Sequence, residues 1–267
     1  MTAPISLTPP VGPGGATLVV LGPSLGTSTI LWEDVVPALA REWRVVAWDL
    51  PGHGDAPSTT EPFTVGDLAD AVARSIHQLG GGPVLYAGVS LGGATGLELC
   101  LRHPQLVSGA AIIASGAKLG DAASWHERAA QVRAQSTSSL VTASAGRWFA
   151  PDSIARRPDL SGRLLHALRE ADDESYALCC EALAQYDVRE RLGEVTTPVL
   201  AAWGEFDAVA PREKAVEIAE GVTEGFTEKI PGAAHLPPAE QPVAIIDSLL
   251  AYFSDIDRRR HDDSTSG

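Results

Sequence analysis

Residues 84–93 read Val-Leu-Tyr-Ala-Gly-Val-Ser-Leu-Gly-Gly, an apolar run of strand type that passes through Gly88-x-Ser90-x-Gly92 straight into a helical pattern. A serine at such a strand-to-helix turn is forced into a tight backbone conformation. Small residues are needed two before and two after it because larger side chains would collide. The helix N-terminus beneath the serine offers amide hydrogens and a partial positive charge to an oxyanion, with the Leu91 N–H as one donor. The pentapeptide alone arises readily by chance in a chain with 26 glycines, and its placement is what gives it weight. A hydroxyl is a weak nucleophile without a base, so the motif requires an acid and a histidine, in the order serine, acid, histidine.

Both follow in that order. Asp207 stands in Gly204-Glu205-Phe206-Asp207-Ala208, just after the apolar run 199–203, where the carboxyl end of a strand gathers functional groups. Its neighbour Glu205 reads as a solvated loop carboxylate. An acid placed one strand earlier is excluded, because Ile112-Ile113-Ala114-Ser115-Gly116 has no carboxylate. Of seven histidines, only His235 and the tail residue His261 follow both other groups, and Gly232-Ala233-Ala234-His235-Leu236 suits a loop after a short last strand. His235 is the candidate general base. His53, in Pro51-Gly52-His53-Gly54, reads as structural, and His126 and His166 as surface or packing residues. A second oxyanion donor is expected from the turn Gly22-Pro23-Ser24-Leu25-Gly26-Thr27, with the Ser24 N–H first and the Leu25 N–H next.

The elements that must position these groups follow from periodicity. Strand-type runs at 16–21, 44–48, 84–87, 110–114 and 199–203 alternate with amphipathic helical patterns at 30–41, 65–79, 91–103, 212–221 and 243–253. Alternation of this kind implies a mostly parallel sheet covered by helices on both faces. It breaks between 117 and 192, where the chain is helical in pattern and has no strand-type run. The expected organisation is an α/β core from 1–116 and 193–256, a helical cap insertion from 117–192, and a disordered tail from 257–267 with little to bury.

The formal net charge of -14 speaks against nucleic acid and anionic membrane partners, which rely on Lys and Arg. Cys100, Cys179 and Cys180 have no metal-ligand spacing, and the adjacent pair makes a poor disulfide, so a reducing compartment is expected. No apolar stretch reaches the roughly 18 residues of a membrane span, and the first residues lack signal-peptide features. A cytoplasmic location is expected.

In this order, and over nearly the whole chain, the motifs resemble the α/β-hydrolase superfamily. Within it they are similar to the 3-oxoadipate enol-lactonases of the β-ketoadipate pathway. The narrower likeness rests on Pro23-Ser24-Leu25-Gly26-Thr27, the Ser90 elbow, Arg147-Trp148-Phe149 and, above all, Tyr176-Ala177-Leu178-Cys179-Cys180-Glu181-Ala182-Leu183. The resemblance implies an α/β-hydrolase fold and opening by water of a five-membered enol-lactone carrying a carboxylate, with no cofactor and no metal. An anionic substrate calls for a cation, best an arginine. Among Arg128, Arg133, Arg147, Arg156, Arg157, Arg163 and Arg169, Arg133 and Arg147 lead because they lie near the family-like segments, and Trp125 and Trp148 are candidates for an apolar wall. In some bacteria such lactonases are fused to a decarboxylase of the same pathway. The tail is therefore either the remnant of a linker or a frayed terminus, and the oligomeric state stays open.

Two other readings compete. One is another serine hydrolase: a carboxylesterase, a carbon–carbon bond hydrolase or a perhydrolase. The other is not an enzyme at all but a ligand receptor with a vestigial triad. Aspartate-nucleophile relatives of the fold are disfavoured by Ser90.

Overall fold

The apolar runs become the middle of a seven-stranded sheet in a computed structural model, which describes residues 3–265. The strands are β1 (Ser6–Leu7), β2 (Leu18–Gly22), β3 (Arg44–Asp49), β4 (Val84–Val89), β5 (Val107–Ile113), β6 (Val199–Gly204) and β7 (Gly225–Ile230). Their spatial order is β1-β3-β2-β4-β5-β6-β7, with β1 antiparallel to β3 and every other pairing parallel. Every residue of β2 and β4 is buried. Helices cover both faces of a parallel sheet, which is why these strands read as unbroken apolar runs without alternation.

The helices are α1 (Val36–Leu39), α2 (Val65–Gln78), α3 (Leu91–Arg102), α4 (Ala122–Gln135), α5 (Val141–Trp148), α6 (Ser153–Arg156), α7 (Pro158–Glu170), α8 (Asp173–Gln185), α9 (Arg212–Gly221), α10 (Pro237–Glu240) and α11 (Pro242–Thr265). α2 starts at a capping box, in which Thr64 accepts from the Asp67 N–H while the Asp67 carboxylate accepts from the Thr64 N–H. It buries Leu68, Val72 and Ile76 on one face.

α4 to α8 all lie between β5 and β6 in the chain and are called the cap below. Their inner faces bury Val132, Leu140, Trp148, Phe149, Leu164, Leu168, Tyr176 and Leu178, while Trp125 and Leu165 are partly buried. On one side Arg157 pairs with Asp34 and Arg163 with Glu33, joining α6 and α7 to the core. Cys179 and Cys180 are buried in α8, and burial pushes the Cys180 thiol up to about 12.

Two expectations are corrected. The helical pattern at 30–41 is broken into a 3-10 turn over Thr29–Trp32 and the short α1, because the Trp32 indole turns inward to donate to the Gly22 carbonyl at 3.0 Å. The tail expected to be disordered from 257 is instead helix as far as Thr265, as part of α11; residues 266–267 lie outside the described residues. Buried Ile256 packs in the core, and the Asp257 carboxylate accepts from the Trp43 indole at 2.7 Å and the Thr17 hydroxyl at 3.3 Å. Arg259 pairs with Glu224 and Asp255. Trp43, Thr17 and Glu224 lie far away in sequence, so local composition gave no sign of them.

Among the described residues no helix is long and apolar enough to cross a membrane.

Candidate active site

Ser90 sits between β4 and α3 with φ 54° and ψ -114°, a left-handed region that costs a non-glycine residue about 1–3 kcal/mol. The surroundings hold it there. Its N–H donates to the Ile113 carbonyl at 3.0 Å, and its carbonyl accepts from the Ser115 hydroxyl at 2.7 Å and the Ala94 N–H at 2.9 Å. The flanking glycines are required by close approach. A Cβ on Gly88 would lie 2.3 Å from the Gly92 carbonyl oxygen, and one on Gly92 would lie 2.5 Å from the Pro23 carbonyl oxygen. Only hydrogen fits at either position.

Ser90, Asp207 and His235 come from three different strand ends, after β4, β6 and β7, all at the carboxyl edge of the sheet. Asp207 Oδ2 lies 3.0 Å from His235 Nδ1, and Asp207 Oδ1 accepts the N–H groups of Val209 at 2.8 Å and Ala210 at 3.0 Å. Burial works to raise the Asp207 carboxyl, but the His235 imidazole and these two amides outweigh it and hold the group below the usual carboxylate range. With Asp207 ionised, His235 carries its proton on Nδ1 and leaves Nε2 as an acceptor. His235 and Ser90 line one cavity. Among the described residues no hydrogen bond joins the Ser90 hydroxyl to His235, a contact that in this kind of site often tightens only around a substrate.

Glu205, the rejected acid, is exposed, pairs with Lys229 at 3.1 Å and accepts the Gly232 N–H at 3.0 Å. His126 and His166 are exposed. His53 is buried; its Nδ1 lies 2.8 Å from the Pro51 carbonyl oxygen, Nε2 has no partner, and the ring stacks on Tyr176 of the cap. Burial lowers its pKa to about 4, so it is neutral near pH 7.

The first choice for the second oxyanion donor is corrected. The Ser24 N–H already donates to the Thr27 hydroxyl at 3.1 Å, and that hydroxyl donates back to the Ser24 carbonyl at 2.8 Å. This closed turn leaves the Leu25 N–H as the donor the loop can present, alongside Leu91 at the first position of α3, whose N–H has no partner within the helix.

The cavity has a volume of about 250 Å³, below the roughly 300–1,000 Å³ of pockets for drug-sized ligands, which suits a small substrate. Leu25, Leu119, Trp125, Trp148 and Val209 make its apolar wall. Of the two arginines favoured from the sequence, only Arg147 lines it. Arg133 is corrected: on the outer side of α4 its guanidinium is held by Glu174 at 2.6 Å and by Glu181 of α8, so its charge is already matched. Arg157, Arg163 and Arg169 are likewise paired with carboxylates, and Arg156 bonds Ser153.

Arg147 is half-buried and, among the described residues, has no carboxylate partner. Burial and the neighbouring Arg128 charge pull its pKa down. Arg128 also lines the cavity, with its guanidinium 5.0 Å above the Trp125 ring. The spacing of Trp125 and Arg128, three apart on one helix face, was the available sign of that second cation. Among the described residues no group of three or more His, Cys, Asp or Glu side chains could hold a metal ion.

A family model described as alpha/beta hydrolase fold matches residues 17–242. The 3-oxoadipate enol-lactonase 2 of Acinetobacter baylyi is 30% identical over 239 residues, covering 88% of this chain and 89% of that one. A pimeloyl-[acyl-carrier protein] methyl ester esterase of Neisseria meningitidis is 33% identical over 196 residues, covering 70% of this chain and 73% of that one. Among solved structures, the enol-lactonase from Burkholderia xenovorans superposes with a TM-score of 0.90 at 27% identity, covering 94% of this chain and 96% of that one. The seven-stranded sheet, the strained serine at its carboxyl edge and these matches agree: the chain belongs to the α/β hydrolase fold family.

Proposed function

We propose that this hydrolase opens a small lactone bearing a carboxylate, with 3-oxoadipate enol-lactone as the substrate and 3-oxoadipate as the product. The observation that carries the reading is Arg147, a half-buried cation without a carboxylate partner, in the same small cavity as Ser90. A neutral ester would leave that charge unmatched, whereas a carboxylate accepts two parallel N–H bonds from it.

In the first step Ser90 Oγ attacks the ring carbonyl carbon and its proton passes to His235 Nε2. Asp207 holds the imidazole and stays ionised throughout. The N–H groups of Leu25 and Leu91 take the oxyanion, helped by the N-terminal end of α3. Collapse breaks the ring carbon–oxygen bond and expels an enolate, which takes the proton from His235 Nε2 and ketonises, leaving the imidazole neutral again. Its stability as a leaving group makes acylation easier than for an alkyl ester. Water then attacks the acyl-enzyme, giving a proton to His235 that returns to Ser90 Oγ as the second carboxylate leaves.

The Neisseria relative supports a second reading, hydrolysis of a simple ester by the same serine. The test is the rate on the enol-lactone against neutral p-nitrophenyl esters, with Ser90→Ala alongside. A kcat/KM at least about 100-fold higher on the lactone, lost in Ser90→Ala, is expected. A preference for the neutral esters sinks the lactone reading, and parent-level turnover in Ser90→Ala sinks the mechanism.

A further inference from the structure

Glu240, the last residue of α10, is only 7% exposed, does not line the cavity and takes no part in the chemistry above. An ionised carboxylate is costly to bury unless its lone pairs are filled. Here they are filled from two separate parts of the chain. Oε1 accepts the Ala150 N–H at 2.6 Å, just beyond the end of α5, and the Ser153 side chain of α6 adds to this cap side. Oε2 accepts the Ala234 N–H at 2.8 Å and the Leu236 N–H at 3.3 Å.

Between those two amides stands His235, whose own N–H donates to the Trp148 carbonyl at 3.1 Å. Three consecutive amides of the histidine loop thus end on the same stretch of the cap, the middle one directly and its neighbours through one carboxylate. That stretch carries Arg147 and Trp148, the cavity wall. The Asp207 contact fixes only the ring of His235; the backbone that carries the ring is fixed from the cap.

We infer that Glu240 is a positioning residue that ties the His235 loop to the cap wall bearing Arg147 and Trp148, so that the general base and the substrate pocket move as one body. The inference rests on the Ser90–His235 reading for its catalytic consequence, but its structural consequence is independent of it.

The experiment compares the full-length protein with Glu240→Gln, which keeps shape and one acceptor oxygen, and Glu240→Ala, which keeps neither. Hydrolysis of p-nitrophenyl acetate is measured per reactive serine, titrated with an organophosphate so that unfolded protein is not counted. The expected result is a kcat per reactive serine lowered about 10-fold in Gln and about 100-fold in Ala, with KM within about twofold, since a misplaced base costs turnover before binding. Hydrogen exchange is followed in parallel in peptides 146–153 and 233–241. Both are expected to exchange faster in each variant.

Parent-level kcat per reactive serine in Glu240→Ala, with only the melting temperature lowered, overturns the proposal. So does faster exchange confined to 233–241. If the parent shows no Ser90-dependent esterolysis, the hydrolytic reading itself fails, and the exchange result still decides whether Glu240 couples loop and cap.

Discussion

The elbow around Ser90 and the cap above it solve different problems, and their chemistry is written at different ranges. At the elbow everything decisive is local: a strand, a residue at φ 54°, and glycines two positions to each side whose hydrogens touch backbone oxygens. In the cap nothing decisive is local. Its arginines look alike in the sequence, and what separates Arg147 from Arg133 is that Glu174 and Glu181, 41 and 48 residues along the chain from Arg133, reach one and not the other. A reactive geometry can be encoded in ten residues. A free charge is defined only by the partners it lacks.

Three measurements press on this contrast. The largest effect is expected at the core. Asp207→Asn should lower kcat by about 10⁴-fold with little change in KM, because an amide leaves the His235 imidazole in the wrong tautomer without moving it. A loss below about tenfold would mean that the 3.0 Å contact to His235 does not serve catalysis. Next comes the cap. Arg147→Met should lower kcat/KM for a carboxylate-bearing lactone about 10- to 100-fold and spare a neutral ester, while Arg133→Met should leave both near the parent. Equal losses in the two variants would erase the distinction between them.

The last effect, on stability and not on turnover, belongs to the seam where the regions touch, at His53 against Tyr176. Burial lowers the folded-state pKa of His53 to about 4 from an ordinary 6.5. The unfolded chain therefore binds the extra proton first as the solution is acidified. The stability from keeping His53 neutral is present above pH 6.5 and is lost progressively toward pH 4, by about 3 kcal/mol at most. Thermal melts of the parent and His53→Gln between pH 7 and 4.5 should show a shallower acid decline in the variant. Parallel declines would remove His53 as the cause.

The same division of range decides what could be read from the sequence. The five inner strands and α2, α3 and α9 were legible because burial on both faces, or on one stripe, leaves an unbroken or periodic apolar signal. β7 was expected only as a short strand before His235, and its bounds were hidden because Gly-Phe-Thr-Glu-Lys-Ile is an edge strand with little to bury. The two-residue β1 had no signal at all. In the site, the serine, acid and histidine were singled out by residue type and spacing, and Arg147, Trp125 and Trp148 only by resemblance; the structure sets Ser90, His235, Trp125, Arg147 and Trp148 around one cavity, with Asp207 against His235. Ser24 was misjudged because residue type cannot say that its amide is taken by Thr27, a closure that depends on the turn's three-dimensional path. Arg128 was visible but undistinguished, since stacking on Trp125 had to be seen against the fate of every other arginine.

The cap's two attachments differ in kind. Arg157–Asp34 and Arg163–Glu33 are direct pairs between partly exposed side chains, where dissolved ions compete for the same charges. The Trp148–His235 link runs between main-chain groups and the Ala150–Glu240 link from main chain to a buried carboxylate, both out of reach of salt. The cap is therefore held by a buried seam beside the histidine and by a pair of surface ion bridges at α6 and α7. Raising the ionic strength should weaken the second attachment and leave the first in place.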